Sequence, residues 1–296
     1  MIKKAVLCAG GSGTRLFPST KVVNKHFLPI YKRPMIFYSI GLLLLSKIKN
    51  ICIICNKEDM SNYNLILGFL NEFGVKITYK IQPKALGIGE IPYLAKDFVK
   101  NDNFILLLGD NFFHSSNLSD LMIGEIKNFK RGSKIFTLNH KNPSDYGVVQ
   151  YNKNKSVKSI IEKPKSPPSN RIVTGLYFFD KKAIDYSTKA NLSKRGEKEI
   201  TSILNQYIKD RNLKESFLGR SAIWRDTGTY EDMNNLANIL IENRKKNIHE
   251  IFCLTEIALI NNWISSVQVK KIIKREKYLL DIDLEYLNIL IKNRII

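Results

Sequence analysis

Cysteine and long apolar runs are both scarce in this chain of 296 residues. Four cysteines are too few for a disulfide scaffold, and we therefore expect reduced thiols. The longest apolar run covers residues 35–46, which is well short of the roughly 20 residues that span a bilayer. The apolar stretch near the start ends at Gly10 and Gly11, so it offers no signal-peptide core. The sequence indicates a cytoplasmic protein without a membrane partner.

Acidic residues are also few: 27 Asp and Glu stand against 47 Lys and Arg, which gives a formal net charge of +20. A charge of this size can indicate a nucleic-acid partner. The lysines, however, are spread along the chain beside many Ile and Asn residues, which is the composition that AT-rich codons produce. Because no recognised nucleic-acid motif accompanies the charge, we expect no nucleic-acid partner, and a functional basic surface stays the alternative.

Short apolar runs alternate with helix-like runs in the first half of the chain. The pattern predicts strands at residues 5–9, 51–55 and 104–108, and helices at residues 35–48, 60–73 and 88–98. Strand–helix–strand alternation at this spacing predicts an α/β fold with a mostly parallel sheet that helices cover on both faces.

The second half is richer in strands and then becomes helical. Further strands are predicted at residues 134–138, 147–151, 157–161 and 174–179. We expect one nucleotide-binding-type core over residues 1–230, with a first half at about 1–133 and a strand-rich second half at about 134–230 that completes it. Residues 231–296 are expected to form a helical C-terminal region that packs on the core.

A glycine-rich segment, AGGSGTRLFP at residues 9–18, directly follows the first predicted strand. Glycines let the backbone approach a ligand closely, and successive N–H groups in such a loop can bind an anion. Arg15 adds a guanidinium group that suits phosphate. Neither a dinucleotide fingerprint nor a Walker loop is present, because Leu16 stands where the third glycine belongs and no Gly-Lys-Ser/Thr ends the loop. A tight strand–helix connection is the alternative to phosphate binding.

Two carboxylates each follow a strand-like run, Asp110 in LLLGDNFF and Asp226 in IWRDTGT. The carboxyl ends of strands are where open α/β sheets place ligand-binding groups, and Mg²⁺ is commonly held by one or two carboxylates plus substrate phosphates. A helix cap or a turn aspartate is the structural alternative for Asp110. Glu162 and Lys163 end another strand and could meet sugar hydroxyls and a phosphate, or form only a surface ion pair.

Cys52 and Cys55 have the CxxC spacing, but strand residues three apart point to opposite faces of a sheet. We therefore expect two small buried side chains and neither zinc nor redox chemistry. The four histidines show no metal or triad spacing.

Seven segments together resemble one family, the bacterial glucose-1-phosphate thymidylyltransferases within the sugar-nucleotidyltransferases. They are AGGSGTRLFP at 9–18, LGDN at 108–111, YGVV at 146–149, EKP at 162–164, TGLY at 174–177, RGEKEIT at 195–201 and WRDTGT at 224–229. Their order and spacing agree with the family pattern over nearly the whole chain.

The resemblance implies a Rossmann-like nucleotide-diphospho-sugar transferase fold. Residues 1–230 would then be a nucleotidyltransferase core, with a nucleotide-binding half at about 1–133 and a sugar-phosphate-binding half at about 134–230. It also implies a division of labour among site residues. The catalytic set would be Arg15, Lys25, Asp110, Lys163 and Asp226. The nucleotide would be bound by Gly10, Gly11, Ser12, Gly13, Thr14, Arg15, Lys25, His26, Gln82, Gly87 and Asp110. The sugar phosphate would be bound by Asn111, Tyr146, Gly147, Glu162, Lys163, Val173, Gly175, Tyr177, Arg195 and Trp224. Asp110 and Asp226 would hold Mg²⁺.

The activity that the resemblance implies is synthesis of dTDP-glucose and pyrophosphate from dTTP and glucose 1-phosphate, as the first step towards dTDP-deoxysugars, by a homotetramer. The chain departs from the family pattern at His26, at residues 84–91 beside the expected base site, and at Ser115 and Ser116, where the family has a Gly-His segment linked to a regulatory nucleotide. Use of UTP or another nucleotide or sugar, and a catalytically silent sugar-nucleotide-binding regulator, are the alternatives. The serines predict weak feedback inhibition.

Overall fold

The computed structural model describes residues 1–11, 13–275, 279–282 and 284–296. The strands are β1 (Lys4–Cys8), β2 (Pro29–Ile30), β3 (Arg33–Pro34), β4 (Asn50–Cys55), β5 (Lys76–Ile81), β6 (Phe104–Leu108), β7 (Asn111–His114), β8 (Ser133–Asn139), β9 (Gly147–Tyr151), β10 (Val157–Glu162), β11 (Arg171–Phe179), β12 (Leu213–Phe217) and β13 (Ile223–Asp226). The α-helices are α1 (Ile36–Leu45), α2 (Met60–Leu67), α3 (Ile91–Leu94), α4 (Lys96–Val99), α5 (Leu118–Asn128), α6 (Lys182–Lys189), α7 (Ile200–Lys209), α8 (Tyr230–Lys246), α9 (Leu254–Ile260), α10 (Ser266–Arg275) and α11 (Leu284–Lys292). None of the helices in these ranges combines the length and the apolar character that a membrane crossing needs.

A nine-stranded mixed sheet forms the centre of the molecule, and its main path runs β5-β4-β1-β6-β11-β9-β10. Strands β5, β4, β1 and β6 are parallel to one another, whereas β11 is antiparallel to β6, β8 and β9. Strand β8 pairs with β11 on one side and with β12 on the other. The predicted α/β class is confirmed. The first part of the chain forms a parallel half, and the second part forms a mainly antiparallel half in which β12 runs parallel to β8.

Two apolar clusters lie on the two faces of the sheet, because side chains alternate along each buried strand. On β4, Cys52 belongs to one cluster and Cys55 to the other, and both are fully buried. The interpretation of these cysteines as small buried residues on opposite faces is therefore confirmed.

Strand β11 contains an irregularity that shapes the site. Its pairing with β8 changes register between Val173 and Tyr177. The backbone N–H of Gly175, inside this bulge, donates to Oδ1 of Asn111 over 3.1 Å. A bulge bends a strand and frees a backbone group from the ladder, and here the freed group holds the side chain of Asn111, the first residue of β7.

Two of the predicted helices are shorter than expected. The helix predicted at 60–73 ends at Leu67, and Gly68–Phe73 continues as a 3₁₀ turn that buries Phe69 and Phe73. The helix predicted at 88–98 divides into the 3₁₀ turn Ile88–Glu90 and the one-turn helices α3 and α4. Glycines at 68 and 89 lower helix propensity at the points where the regular helices fail.

A buried ion cluster joins the C-terminal helices to the hairpin of β2 and β3. Arg33 donates to Glu250, and its Nε lies 3.6 Å from Oδ2 of Asp281. Asp281 also accepts the backbone N–H groups of Leu254 and Thr255 at the start of α9. The division of the chain at residue 230 stays a prediction.

The outer edge of β10 is occupied by a side chain from α7. Asn205 accepts the backbone N–H of Ile160 over 2.9 Å and donates its own Nδ2 to the carbonyl of the same residue over 2.7 Å. The amide of Asn205 thus takes the hydrogen-bonding place of a further strand.

Candidate active site

The glycine-rich loop leaves the carboxyl end of β1 in the conformation that its glycines permit. Gly11 and Gly13 have φ angles of +100° and +59°, a region that L side chains rarely adopt. The carbonyl of Gly13 accepts the hydroxyl of Thr20 over 2.7 Å, which fixes the far side of the loop. A Cβ on Gly10 would lie 2.5 Å from Oε1 of Gln82, so a side chain at this position would require the Gln82 amide to move. Ser12, a predicted nucleotide ligand, lies outside the described residues.

Lys25 and Asp110 form an ion pair between the ends of neighbouring strands. β1 and β6 are parallel partners with Cys8 opposite Leu108, so the loops that follow them leave the same edge of the sheet. Nζ of Lys25 donates to Oδ2 of Asp110, and the two side chains are only 16% and 12% exposed. Burial is the largest influence and opposes ionisation of Asp110, but the Lys25 charge and the hydrogen bonds from Lys25 and Asn111 together hold the pKa of that carboxyl well below its usual range.

Asp226 reaches the same place from the other end of the chain. β13 pairs antiparallel with β7, which puts Asp226 opposite Asn111, and Thr227 donates its backbone N–H and its hydroxyl to the carbonyl of Asp110. Burial and the neighbouring charge of Asp110 raise the pKa of Asp226 to about 6. Nη2 of Arg15 lies 4.0 Å from Oδ2 of Asp226. Two carboxylates that sequence separates by more than a hundred residues are therefore neighbours, with a cation beside each.

Asn111 ties these elements together and is 4% exposed. Its Oδ1 accepts the indole N–H of Trp224 over 2.8 Å as well as the N–H of Gly175. Its Nδ2 donates to Oδ1 of Asp110 over 3.0 Å. This network fixes the direction of the Asp110 carboxylate from the side opposite Lys25.

The sugar side of the site is built where β9 and β10 meet. Gly147 pairs with Glu162 in the ladder, and the N–H of Lys163 donates to the carbonyl of Tyr146 over 3.0 Å. Lys163 has φ +41°, so the backbone is held in a strained left-handed turn at this position. Burial, and next the charge of Glu199, raise the pKa of Glu162 above its usual range.

A cavity of about 200 Å³ connects the two sides. Its lining contains most of the predicted catalytic and sugar-phosphate residues: Arg15, Asp110, Asn111, Tyr146, Gly147, Glu162, Lys163, Val173, Gly175, Tyr177, Arg195, Trp224 and Asp226. The structure thus brings together residues from all seven sequence segments at one place, with RGEKEIT supplying Arg195.

Other predicted residues lie around this cavity rather than on its wall. Lys25 is held behind Asp110 by the ion pair. His26 is 1% exposed, and its Nδ1 lies 2.8 Å from Oδ1 of Asn24. Burial, and then the Lys25 charge, lower the pKa of His26 to about 3, so a neutral ring packs beneath the loop after β6. Of the described residues predicted to bind the nucleotide, Gly10, Gly11, Gly13, Thr14, Gln82 and Gly87 are not part of the cavity lining.

Gly87 lies in a loop that the RGEKEIT segment covers. The N–H of Gly89 donates to the carbonyl of Lys198 over 2.8 Å, and the N–H of Lys198 donates to the carbonyl of Leu86 over 2.6 Å. A Cβ on Gly87 or on Gly89 would lie 2.7 Å from the carbonyl oxygen of Lys198. The expected base loop and the segment that carries Arg195 therefore form one unit.

Sequence reasoning missed several residues that build the site. Ser39 on α1 donates to the carbonyl of Gly109 over 2.9 Å, and Asn24 holds the turn of Lys25 by accepting the N–H of His26. Ser39 sits in an apolar run without any local signal. Glu197 and Glu199 also line the cavity, and they were visible inside RGEKEIT without being assigned a role.

The donor set suits a hard divalent cation. Within the described residues, no group of three or more His, Cys, Asp or Glu side chains could enclose a metal ion. Asp110 and Asp226 place two carboxylates at one open cavity. One or two carboxylates are the usual protein ligands of Mg²⁺ where substrate phosphates supply further ligands. Softer metals that require thiolate or imidazole ligands do not fit this pair.

Comparison with known proteins agrees with the geometry. The model of the nucleotidyl transferase family matches residues 4–243. The chain is 38% identical to a glucose-1-phosphate thymidylyltransferase of Neisseria meningitidis, over 91% of this chain and 93% of that protein. It is 37% identical to the enzyme of that name from Xanthomonas campestris, over 91% of both chains.

Solved structures give the same result. A crystal structure described as a glucose-1-phosphate thymidylyltransferase from Bacillus anthracis aligns with a TM-score of 0.74 and 37% identity, over 85% of this chain and 99% of that one. A UDP-glucose pyrophosphorylase structure, at 22% identity over 82% of this chain and 100% of that one, shares the fold with a TM-score of 0.72. The chain therefore belongs to the nucleotidyl transferase family and, within it, to the glucose-1-phosphate thymidylyltransferases.

Proposed function

We propose that this protein joins dTTP and α-D-glucose 1-phosphate to give dTDP-glucose and pyrophosphate, with Mg²⁺ as the metal. The observation that carries the proposal is the meeting of Asp110 and Asp226 in the lining of one cavity with Glu162 and Lys163, while Lys25 pairs with Asp110 from behind that lining. The relatives named for this reaction support the choice of substrates.

The chemistry follows from charge. The phosphate oxygen of a sugar 1-phosphate is anionic at neutral pH and needs no general base. Its difficulty is the approach to an α-phosphorus that is surrounded by negative oxygens. Cations that are already in place lower that repulsion and hold the attack in line with the leaving pyrophosphate. This explains why the cavity contains Arg, Lys and Asp and no nucleophilic Cys or His.

Each side of the cavity has its own task. The glycine-rich loop and Arg15 would bind the triphosphate, and Lys25 would neutralise charge on the α-phosphate. Bound between Asp110 and Asp226, Mg²⁺ would polarise the phosphate oxygens. Glu162 would accept sugar hydroxyls, and Lys163 would hold the sugar phosphate with Arg195. Gln82 and Gly87 would face the base, as the resemblance implies.

The decisive experiment measures pyrophosphate release with four nucleoside triphosphates, each combined with several sugar 1-phosphates. We expect the highest kcat/KM with dTTP and glucose 1-phosphate, loss of turnover with a chelator, and recovery with Mg²⁺. A preference for UTP would indicate that the altered residues 84–91 determine which nucleotide the protein uses. Binding of both substrates without any pyrophosphate release would favour the silent regulator.

A matched pair of lysine variants tests the site assignment. Lys25→Gln should lower kcat by about 100-fold, because it removes one preorganised charge from the reacting phosphates. Lys21→Gln changes an exposed lysine four residues away and should stay within twofold of wild type. The homotetramer, the cytoplasmic location and the place in dTDP-rhamnose synthesis rest on the resemblance and stay predictions. Light scattering of the purified protein checks the tetramer.

A further inference from the structure

Three carboxylates surround the guanidinium of Arg195. Nη1 of Arg195 lies 3.4 Å from Oε1 of Glu199 and 3.6 Å from Oε1 of Glu162, and Nη2 lies 3.3 Å from Oε1 of Glu197. Only the contacts with Glu197 and Glu199 satisfy hydrogen-bond geometry. The hydrogen bonds of the Arg195 guanidinium to carboxylates therefore go to its own loop, while Glu162 on β10 makes only an ion-pair contact with it.

The two loop glutamates are held differently. The Glu199 side chain is 14% exposed, whereas that of Glu197 is 40% exposed. Oε1 of Glu199 also accepts the hydroxyl of Ser193 over 2.7 Å, and the same hydroxyl oxygen accepts the backbone N–H of Arg195 over 3.1 Å. Ser193, Arg195 and Glu199 thus close a ring of contacts in which Glu197 has no part.

The base of this loop is fixed by backbone hydrogen bonds. The N–H of Ser193 donates to the carbonyl of Glu197 over 2.8 Å, and Lys198 exchanges bonds with Leu86 and Gly89 as described above. These backbone hydrogen bonds do not fix the position of the Arg195 side chain, which is long, has several rotatable bonds and is partly exposed. A fixed partner is needed if its guanidinium is to stay at the cavity.

We propose that Glu199 is a positioning residue, which holds the Arg195 guanidinium at the sugar-phosphate part of the cavity so that the anion meets a cation already in place. The inference rests on the proposed function, because it takes Arg195 as a contact of the sugar phosphate. Arg195, Glu197 and Glu199 all line the cavity. Preorganisation of this kind increases affinity because less side-chain freedom is lost on binding.

The direction in which Glu199→Gln changes binding of the sugar phosphate distinguishes a positioning role of Glu199 from an effect of its charge alone. Glu199 is an anion near the place where an anionic substrate would bind. If it acted only through its charge, neutral Gln at this position would strengthen binding of the sugar phosphate. If it positions Arg195, the loss of the charge-assisted contact weakens binding instead. Glu197→Gln removes an equal charge from the same guanidinium and is the matched control.

The test is steady-state kinetics of the full-length protein with glucose 1-phosphate varied at saturating dTTP. We expect Glu199→Gln to raise KM about five- to tenfold while kcat stays within about twofold, and Glu197→Gln to stay within about twofold in both. Arg195→Ala should raise KM by more than tenfold. In the Arg195→Ala background, adding Glu199→Gln should cause no further rise in KM.

Each outcome bears on the proposal. An unchanged or lowered KM for Glu199→Gln overturns the positioning role, and so does an equal rise in the Arg195→Ala background, because the effect would not pass through Arg195. An unchanged KM for Arg195→Ala overturns it as well. Failure of the proposed function can be distinguished from failure of the positioning role, since the wild-type protein would then form no dTDP-glucose at any Mg²⁺ concentration.

Discussion

Replacement of either strand-end carboxylate by asparagine should abolish most of the activity while it affects stability in two different ways. Asp110→Asn and Asp226→Asn each keep the side-chain shape and remove one anionic metal ligand. The loss of one preorganised electrostatic contact lowers turnover by about 10²–10³, or roughly 3–4 kcal/mol. We expect each variant to lose at least about 100-fold in kcat, with part of the loss recovered by excess Mg²⁺.

The stabilities should diverge because the two carboxylates have different partners. Asp110 is the counter-charge of Lys25, whose side chain is 16% exposed. Asn at 110 leaves that ammonium beside a neutral amide, and a broken, largely buried pair of this kind costs about 2–4 kcal/mol. Among the described residues, the Asp226 side chain makes only the 4.0 Å ion pair with exposed Arg15. Asp226→Asn should therefore leave the free energy of unfolding within about 1 kcal/mol of wild type, or raise it.

The assays are urea denaturation without metal and pyrophosphate release over a range of Mg²⁺ concentrations. Asp120→Asn, on the exposed face of α5, is the control and should match wild type in both. Near-wild-type turnover of Asp226→Asn at limiting Mg²⁺ would refute the two-carboxylate site. Equal stability losses in the two variants would refute the partner assignment for Asp110.

Three further predictions concern packing and charge. Gly175→Ala places a Cβ 2.5 Å from Oδ1 of Asn111, so the melting temperature should fall with a loss of about 1–3 kcal/mol, and kcat should fall with it. Arg33→Ala removes the guanidinium that Glu250 and Asp281 share, although Glu250 keeps its contacts with Lys32 and Arg244, and it should cost about 3–5 kcal/mol in urea denaturation. Lys32→Ala, at the exposed end of the same cluster, should cost under about 1 kcal/mol. Lys153→Gln should leave activity within about twofold if the basic surface reflects codon composition, and a large loss in a folded protein would refute that interpretation.

The strand-end groups of the site were accessible to sequence reasoning because they follow from local pattern. Apolar β1 and β6 each end at glycine, and parallel neighbours put the loops that follow them at one edge. The position of Asp226 does not follow from local pattern, since it depends on the pairing of β13 with β7, which periodicity does not determine. The motif resemblance, and not periodicity, supported the assignment of Asp226 to the site.

The second half of the fold shows where sequence reasoning stops. Strand β12 was missed because only one of its five side chains is buried. Edge strand β5, in the first half, was missed although its residues alternate between polar and apolar. The bulge at Gly175 could not be predicted from sequence, because it depends on a hydrogen bond from the Gly175 N–H to Asn111, which is 64 residues away in the chain. His26 illustrates the same limit: a residue that replaces a family glutamine was expected at the nucleotide, and its ring is buried against Asn24.

The Asn205 amide at the outer edge of β10 has a consequence for self-association. An open edge strand offers unpaired N–H and C=O groups, which are a template for aggregation or for sheet extension by another chain. With both outward groups of Ile160 already bonded to a side chain, that template is interrupted at its middle. The opposite edge, β5, carries Lys76 and Lys80, which repel an identical strand. Copies of this protein are therefore not expected to join their sheets through the outer edges of β10 or β5.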